Sequence, residues 1–264
     1  MIDAHNHLHF DAFDEDRDAV IERAHDAGVT AMVLAGYDAS RREIAVRLAR
    51  RAGIFATAGL HPWALRDLDE DGVEAELSAL EALDWAPFCA LGELGLDWAI
   101  EVDHGLQRRV FVRQLTLARE RDLPLVVHCV RANDEVAAIL EKEGVPGRGG
   151  IIHSFWGSQQ QAERFVRLGL SLSVGTQLTK GQPTKIVDAL TAVGLESLLV
   201  ETDAPSRPPA GHASRRNEPA YLSCVVDALA LVLRTSREEV ADATARNARK
   251  IFDLRDESLA AVET

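Results

Sequence analysis

The chain has 264 residues, of which 47% are hydrophobic and 27% charged, so we expect a sizeable core and no general disorder. Its formal net charge of −13 opposes loose, sequence-independent attachment to nucleic acid, because such binding requires Lys and Arg to neutralise phosphates. No uninterrupted apolar run approaches the roughly 20 residues that span a bilayer, so we expect no membrane association.

Short β-rich apolar runs alternate along the chain with segments whose apolar residues recur at helical spacing. The predicted strands lie around residues 1–4, 30–35, 54–59, 88–92, 124–128, 150–153, 170–174 and 197–201. The predicted helices between them include residues 16–27, 41–52, 106–121, 134–143 and 159–168. Two more helical segments, 218–234 and 236–252, close the chain and are expected to cap and brace the fold.

This alternation predicts an α/β protein with parallel strands joined by right-handed crossovers. About eight units favour a closed (β/α)8 TIM barrel over an open sheet, and no GxGxxG segment opens the first helix to suggest dinucleotide binding. We predict a single barrel domain over residues 1–264, a length that such barrels commonly have. Residues 206–219, rich in Pro, Gly, Ser and Arg, should form a long loop on the C-terminal side of the strands.

The three cysteines, Cys89, Cys129 and Cys224, are widely spaced and form no CxxC pair. This argues against a disulfide framework and against a thiolate zinc site. The first residues, MIDAHNHLHF, lack the basic and apolar regions of a secretory signal. We therefore expect a cytoplasmic protein, and the sequence shows no sign of an obligatory protein partner.

His5 and His7 form an HxH pair at the end of the first predicted strand. The two-residue period of a strand places both imidazoles on the same side, where they can converge on one cation. The pair therefore indicates a metal site, with a solvated pair of histidines near the amino terminus as the alternative.

Further histidines and carboxylates end other apolar runs. A single histidine in such a position is more often structural, but repetition of the placement favours a common role, and a buried carboxylate needs a partner. In a closed parallel barrel the C-terminal strand ends share one rim, so these side chains should meet around one pocket. Imidazoles and carboxylates together suit Zn, Mn or Mg, and one ion is too few for six ligands. The six candidate ligands are His5, His7, Glu93, His128, His153 and Asp203.

The segments IDAHNH, GLHPW, LGELGLDW, LVVHC, GIIHSFWGS, LLVETDAP and RRNEP occur in this order over most of the chain. This ordered set resembles the TatD family of metal-dependent hydrolases, often called TatD-type deoxyribonucleases. The resemblance implies a distorted (β/α)8 barrel with a metal site at the C-terminal rim of the strands. It also implies two-metal hydrolysis of DNA phosphodiesters, in a deoxyribonuclease- or exonuclease-like reaction that uses a metal-activated water.

Matching the family residue by residue implies roles for the six ligands. Asp203 would accept the proton of the attacking water, so Asp203 and Glu93 are the candidate catalytic residues. Independently of the match, Asp97, just past Glu93, is expected to orient the loop or to hydrogen-bond a metal-binding histidine, and not to touch the substrate. By the same match, one metal would be held by His5, His7 and Asp203, the second by His128 and His153, and Glu93 would bridge the two metals.

Three residues are candidate substrate contacts. His61, in GLHPW, matches a family motif and would lie on the rim near the substrate phosphate, with a structural histidine as the alternative. Arg216 could clamp a phosphate, because guanidinium forks match phosphate oxygens, with a solvated basic patch as the alternative. Trp156 replaces a residue that is usually small in the family and could stack a base or narrow the entrance. Val130 stands where the family usually has Arg, which puts the substrate in doubt more than the hydrolysis.

Three functions are compatible with this pattern. The leading one is a two-metal phosphodiesterase whose partner is DNA or a small phosphodiester. A metal-dependent hydrolase of a small-molecule ester or C–N bond is the alternative, since the same barrel and metal rim support several hydrolyses. A non-catalytic metal-binding protein is the third, and the complete ligand set disfavours it.

Overall fold

The computed structural model describes residues 1–212 and 215–254. Its eight strands form one parallel sheet in which each strand pairs with the next along the sequence. The predicted (β/α)8 barrel is therefore confirmed, whereas its extent as one domain over residues 1–264 stays a prediction. The strands are β1 (Ile2–Asn6), β2 (Ala31–Leu34), β3 (Ile54–Ala58), β4 (Phe88–Asp97), β5 (Leu125–Val130), β6 (Gly150–Ile152), β7 (Leu170–Val174) and β8 (Leu198–Val200).

Helices connect successive strands and close the chain. Several begin at an Asp or Ser whose side chain accepts a backbone N–H of the first turn, as Asp103 and Ser236 do. Helices α3 and α7 lie in segments for which we had named no helix. The helices are α1 (Arg17–Asp26), α2 (Ala39–Leu48), α3 (Glu70–Glu81), α4 (His104–Glu120), α5 (Asn133–Glu143), α6 (Gln159–Arg167), α7 (Thr184–Val193), α8 (Leu222–Leu233) and α9 (Arg237–Phe252).

The chain after β8 joins the end of β1 and brings the last strand beside the first. The backbone N–H of Asp203 donates to the carbonyl of His5 at 3.0 Å, and the N–H of His7 donates to the carbonyl of Ala204 at 2.7 Å. Because this joint is made at the C-terminal ends of β1 and β8, three predicted site residues, His5, His7 and Asp203, belong to it directly.

Strand β4 is longer than predicted. The sequence predicts its end at Gly92, but the strand continues through Asp97, with an irregular register between Gly92 and Leu94. Glu93 therefore lies within the strand and is only 1% exposed. Gly95 allows β4 to approach β5 closely here, since a side chain at this position would collide with the backbone carbonyl of His128.

Helix α9 packs against one end of the barrel. Its residues Ala248 and Phe252 form an apolar cluster with strand residues such as Ile2, Ala90 and Leu199, as expected for a closing helix. Across residues 1–212 and 215–254, no single helix is long and apolar enough to cross a membrane. One bent pair, Pro219–Leu233 with Arg237–Phe252, meets the length and composition test jointly, with a bend of 108°.

Candidate metal centre

The barrel brings the six predicted ligands together. They come from both ends of the chain and from strands between, and they surround one position at the C-terminal side of the sheet. Most are deeply buried: His5 is 0% exposed and Glu93 1%, while the side chain of Asp203 is 17% exposed. The positions are His5 in β1, His7 just after it, Glu93 in β4, His128 in β5, His153 directly after β6, and Asp203 three residues after β8.

Glu93 lies at the middle of the cluster, with a different set of histidines at each oxygen. Its Oε2 is 3.2 Å from His5 Nε2 and 3.5 Å from His7 Nε2. Its Oε1 is 2.5 Å from His128 Nδ1 and 3.3 Å from His153 Nε2. This carboxylate is thus shared by two groups of nitrogen ligands: the first group is His5 and His7, and the second group is His128 and His153.

Asp203 completes the first group. Its Oδ1 lies 3.6 Å from His7 Nε2 and 3.8 Å from His5 Nε2, and ligand atoms of these three residues all lie within 4.8 Å of one another. Asp203 adopts φ 55°, a left-handed conformation that is costly for a residue with a side chain. Such conformations recur at functional sites, and here the conformation belongs to the residue that turns back towards β1.

The packing of these groups fits divalent cations. The Nε2 atoms of His5 and His7 converge at 3.3 Å, and both also face Glu93 Oε2. Glu93 Oε2 is buried and makes no hydrogen bond to any described residue. Convergent imidazole nitrogens and carboxylate oxygens are the ligands that Zn and Mn accept.

Two buried carboxylates orient the histidines of the second group. His128 Nε2 lies 3.0 Å from Asp97 Oδ2, and His153 Nδ1 lies 2.9 Å from Glu201 Oε1. Each carboxylate can accept the proton of one ring nitrogen, which leaves the other nitrogen free to bind a cation. The Asp97 contact was expected. The sequence pattern does not distinguish Glu201, which stands two residues before Asp203 in LLVETDAP, because no histidine lies near it along the chain.

The two carboxylates remain ionised despite burial. Burial acts to raise the pKa of Asp97, but hydrogen bonds with His128 and Trp63 lower it to about 2. Burial acts in the same direction on Glu201, and the charge and hydrogen bond of His153 hold its pKa below the ordinary value. Each is therefore a negative acceptor for its histidine at neutral pH.

His61 lies within the cluster but has the geometry of a donor. Its Nδ1 accepts the backbone N–H of Trp63 at 2.9 Å, so the ring proton belongs on Nε2. That Nε2 is 3.1 Å from Glu93 Oε1 and 3.2 Å from His128 Nδ1. Burial lowers the pKa of His61 to about 4, which keeps the ring neutral. His61, Glu93 and His128 lie close enough together to form a candidate metal group, but with its proton on Nε2 the His61 ring is a hydrogen-bond donor towards Glu93 and not a ligand.

Without a bound cation, the rings of His5 and His128 carry protons at neutral pH. Burial acts to lower the pKa of His5, but the neighbouring Glu93 carboxylate raises it to about 9. Burial acts likewise on His128, and its hydrogen bonds with Asp97 and Glu93 raise that pKa to about 9. A cation bound at either ring must displace a proton, so metal affinity should increase with pH.

The cluster forms the floor of a cavity of about 1070 Å³. Trp156 lines this cavity with 44% of its surface exposed, and Trp63 lines it with 43% exposed. Large aromatic rings are usually buried, so two half-exposed indoles in one cavity are candidates for stacking against a ligand.

Arg216 lies elsewhere than expected. It is not among the described residues that line the cavity. Its guanidinium donates to both carboxylate oxygens of Asp16 at 2.7 Å and to Glu218 at 2.8 Å, and it lies over the ring of Phe13. These contacts tie the loop before α8 to the start of α1, an architectural role. The sequence could not reveal this, because Asp16 is 200 residues away.

Comparison with known proteins gives a consistent assignment. The family model described as TatD related DNase matches residues 2–253. The chain is 33% identical to the uncharacterized metal-dependent hydrolase YabD of Bacillus subtilis (strain 168), over 96% of this chain and 99% of the relative. It is 34% identical to the 3'-5' ssDNA/RNA exonuclease TatD of Pantoea vagans (strain C9-1), over 96% of this chain and 100% of the relative.

A solved structure agrees with these relatives. The crystal structure of YjjV, a TatD homolog from Escherichia coli K12, superposes with a TM-score of 0.87 and 33% identity, covering 97% of this chain and 98% of that one. The predicted family resemblance is thereby confirmed over nearly the full length. The chain belongs to the TatD related DNase family of metal-dependent hydrolases.

Proposed function

We propose that this protein is a two-metal phosphodiesterase that removes nucleotides from the ends of DNA strands. The position of Glu93 carries the proposal, because each of its oxygens faces a separate set of histidines. A carboxylate placed in this way suits two cations a few ångströms apart, as in two-metal hydrolysis. The relative from Pantoea vagans, named a 3'-5' ssDNA/RNA exonuclease, supports a nucleic-acid substrate.

The proposed ligands follow the two groups around Glu93. Zn, Mn or Mg are the candidate ions, with Zn and Mn preferred by four imidazole ligands. Asp97 would hold the ring proton of His128 on Nε2, and Glu201 would hold that of His153 on Nδ1, so that the other nitrogen of each ring can bind the second ion. His5, His7 and Asp203 would hold one ion, His128 and His153 the other, and Glu93 would bridge the two.

The two cations, when bound, would lower the pKa of a water and neutralise charge that develops on the phosphoryl group. Asp203 would take the proton of the attacking water. Burial raises the pKa of this carboxyl, and the charge of a bound cation would act in the opposite direction. Its oxygen Oδ1 lies 3.6 Å from His7 Nε2, and both residues line the cavity.

Two residues would orient the substrate. His61 would donate its Nε2 proton, which faces Glu93 Oε1 at 3.1 Å, to a phosphoryl oxygen once the Glu93 oxygens are bound to the cations. Trp156, half-exposed in the cavity, would stack against a base. Stacking accepts every base, so this contact would favour nucleic acid without selecting a sequence.

The test combines metal content and hydrolysis on one preparation. Elemental analysis of the purified protein should find about two divalent ions per chain. Hydrolysis of bis(p-nitrophenyl) phosphate and of single-stranded DNA should depend on those ions and should be lost in His128→Ala. As a matched control, His104→Ala removes an exposed histidine at the start of α4 and should retain both metal and activity.

Each result has a distinct meaning. Two ions with metal-dependent phosphodiester cleavage would support the proposal. Stoichiometric metal without any phosphodiester cleavage would favour hydrolysis of a small-molecule ester or C–N bond. A protein that binds no metal under any reconstitution would refute the proposed centre.

A further inference from the structure

The cavity extends beyond the metal centre to a rim that carries positive charge. Arg131 follows β5, Lys185 lies in the first turn of α7, and Arg207 follows β8; all three line the cavity. They are exposed, whereas the histidines at the floor are nearly buried, with His128 at 7%. The rim cations therefore lie further out than the position where a phosphodiester would be cleaved.

These three cations are not neutralised by the described part of the protein. None of them has a carboxylate within ion-pair distance among residues 1–212 and 215–254. The acidic residues of the same cavity are engaged otherwise. Glu135 accepts from Arg108 at 2.6 Å, and Asp134 accepts from Gln161 at 3.1 Å. In a chain of net charge −13, the rim is thus a local site for an anion.

The backbone of both arginines is held in an unusual conformation. Arg131 has φ 55° and Arg207 φ 49°, in the left-handed region that side chains rarely adopt. The carbonyl of Arg207 accepts hydrogen bonds from the Thr176 hydroxyl and, at 3.3 Å, from the Asn217 amide. These bonds immobilise the loop while the guanidinium stays unpaired. Costly backbone conformations of this kind recur in ligand clamps.

We propose that Arg131, Lys185 and Arg207 form a second phosphate site that holds the phosphate adjacent to the one being cleaved. This inference rests on the proposed function. Guanidinium and ammonium groups are the usual protein ligands of phosphate oxygens. The site would make substrates with two or more phosphates better than those with one.

The first test compares short substrates. The kcat/KM of the metal-loaded protein is measured for a dinucleoside monophosphate, which has one phosphate, and for a trinucleotide, which has two. The trinucleotide should be better by about tenfold or more, as expected for one charge-assisted contact. A dinucleotide with a terminal phosphate, run in parallel, shows whether the second phosphate is terminal or internucleotide.

The variants are Arg131→Gln, Lys185→Gln and Arg207→Gln. Each should reduce the preference for the trinucleotide by about threefold to tenfold. Arg234→Gln is the matched control, because Arg234 is also exposed, also has φ 55° and does not line the cavity. It should keep the full preference.

A binding measurement supplies a readout that is independent of turnover. Affinity for a fluorescent phosphorothioate oligonucleotide is measured by anisotropy at several salt concentrations. For single strands each neutralised phosphate contributes about −0.7 to the slope of log K against log salt, so each rim variant should flatten the slope by up to about 0.7. Replacing the adjacent linkage by an uncharged methylphosphonate should reproduce the effect of the variants and should not add to it.

The outcomes separate the two proposals. Equal kcat/KM for one- and two-phosphate substrates, or an unchanged preference and salt slope in all three variants, would overturn the second phosphate site while leaving the phosphodiesterase intact. Failure to hydrolyse any of the phosphodiesters, although metal is bound, would refute the proposed function and this inference with it.

Discussion

Asp203 combines three properties, and the combination distinguishes it from Asp97, which also contacts a histidine of the cluster. It has a left-handed backbone, its side chain is mostly buried, and its Oδ1 lies close to His5 and His7. Burial raises its pKa, whereas Asp97, hydrogen-bonded by His128 and Trp63, has a pKa lowered to about 2. Asp203 is proposed as the proton acceptor because its Oδ1 lies beside both His5 and His7, whereas Asp97 is engaged by His128 and Trp63.

Replacing Asp203 with Asn tests that role. The amide keeps the size of the side chain but cannot accept the proton of water, so kcat should fall by about 10²–10⁴-fold or more. Stopped assays on single-stranded DNA with matched metal loading measure the loss. A near-normal rate would remove Asp203 from the mechanism.

Asp97 is expected to act through His128. The variant Asp97→Asn loses the negative acceptor of the His128 Nε2 proton, so metal affinity should fall by about 10- to 100-fold. Competition with a chromophoric chelator measures the affinity directly. Asp103→Asn is the control, because Asp103 only caps α4 and Asn caps equally well. Unchanged affinity in Asp97→Asn would contradict the orienting role.

At the scale of secondary-structure elements, a buried carboxyl, that of Asp3, lies where the chain after β8 contacts β1. Asp3 is 0% exposed, and it accepts the backbone N–H of Thr202 at 2.9 Å and the Thr202 hydroxyl at 2.6 Å. Burial raises the pKa of Asp3 from 3.8 to about 7, although the Thr202 bonds oppose this. The contact between β1 and the chain after β8 therefore depends on Asp3, which stays protonated in the folded chain below about pH 7.

This shift predicts a pH-dependent stability. Between about pH 4 and 7 the unfolded chain loses the Asp3 proton while the folded chain keeps it, so the stabilisation is complete below about pH 4 and declines towards pH 7. Relative to Asp3→Asn, which cannot ionise, the free energy of unfolding should fall by up to about 4 kcal/mol over this range.

Urea unfolding of both proteins in EDTA, at several pH values, measures this difference. The exposed Asp188→Asn on α7 is the control and should show no such trend. A constant difference between Asp3→Asn and the parent chain would show that Asp3 ionises at its ordinary pKa.

At the scale of the whole molecule, the metal centre links the first strand to the last. Its proposed ligands come from β1, β4, β5 and the segments after β6 and β8, so bound cations would hold most of the barrel rim together. Ions that bind only the folded chain stabilise it by mass action, by about 4 kcal/mol at a thousand times Kd.

Metal removal should therefore lower the melting temperature. For a chain of this size about 4 kcal/mol corresponds to roughly 8–16 °C. Calorimetry of the purified protein, of the chelated protein and of the reconstituted protein checks this, and reconstitution should restore the original value. An identical melting temperature in all three would mean that the ions do not bind at the rim.

The sequence predicted much of this architecture for a simple reason. Strand and helix order follows from local periodicity, and His5, His7, His128 and His153 all follow apolar runs that end at one rim. The extension of β4 past Glu93 was missed, because Gly92 and Gly95 resemble a strand end locally. Only the neighbouring β5 shows that they allow a close approach.

By itself, the sequence determined the barrel, the family and the identity of the six candidate ligands, because these depend on local patterns and on motifs in a given order. Tertiary structure decided which groups meet across long separations. In the folded chain Arg216 binds Asp16 and Glu201 contacts His153. The hydrogen bond from the Trp63 N–H to His61 Nδ1 places the His61 ring proton on Nε2. Such contacts depend on how elements pack in space, and no spacing along the chain encodes them.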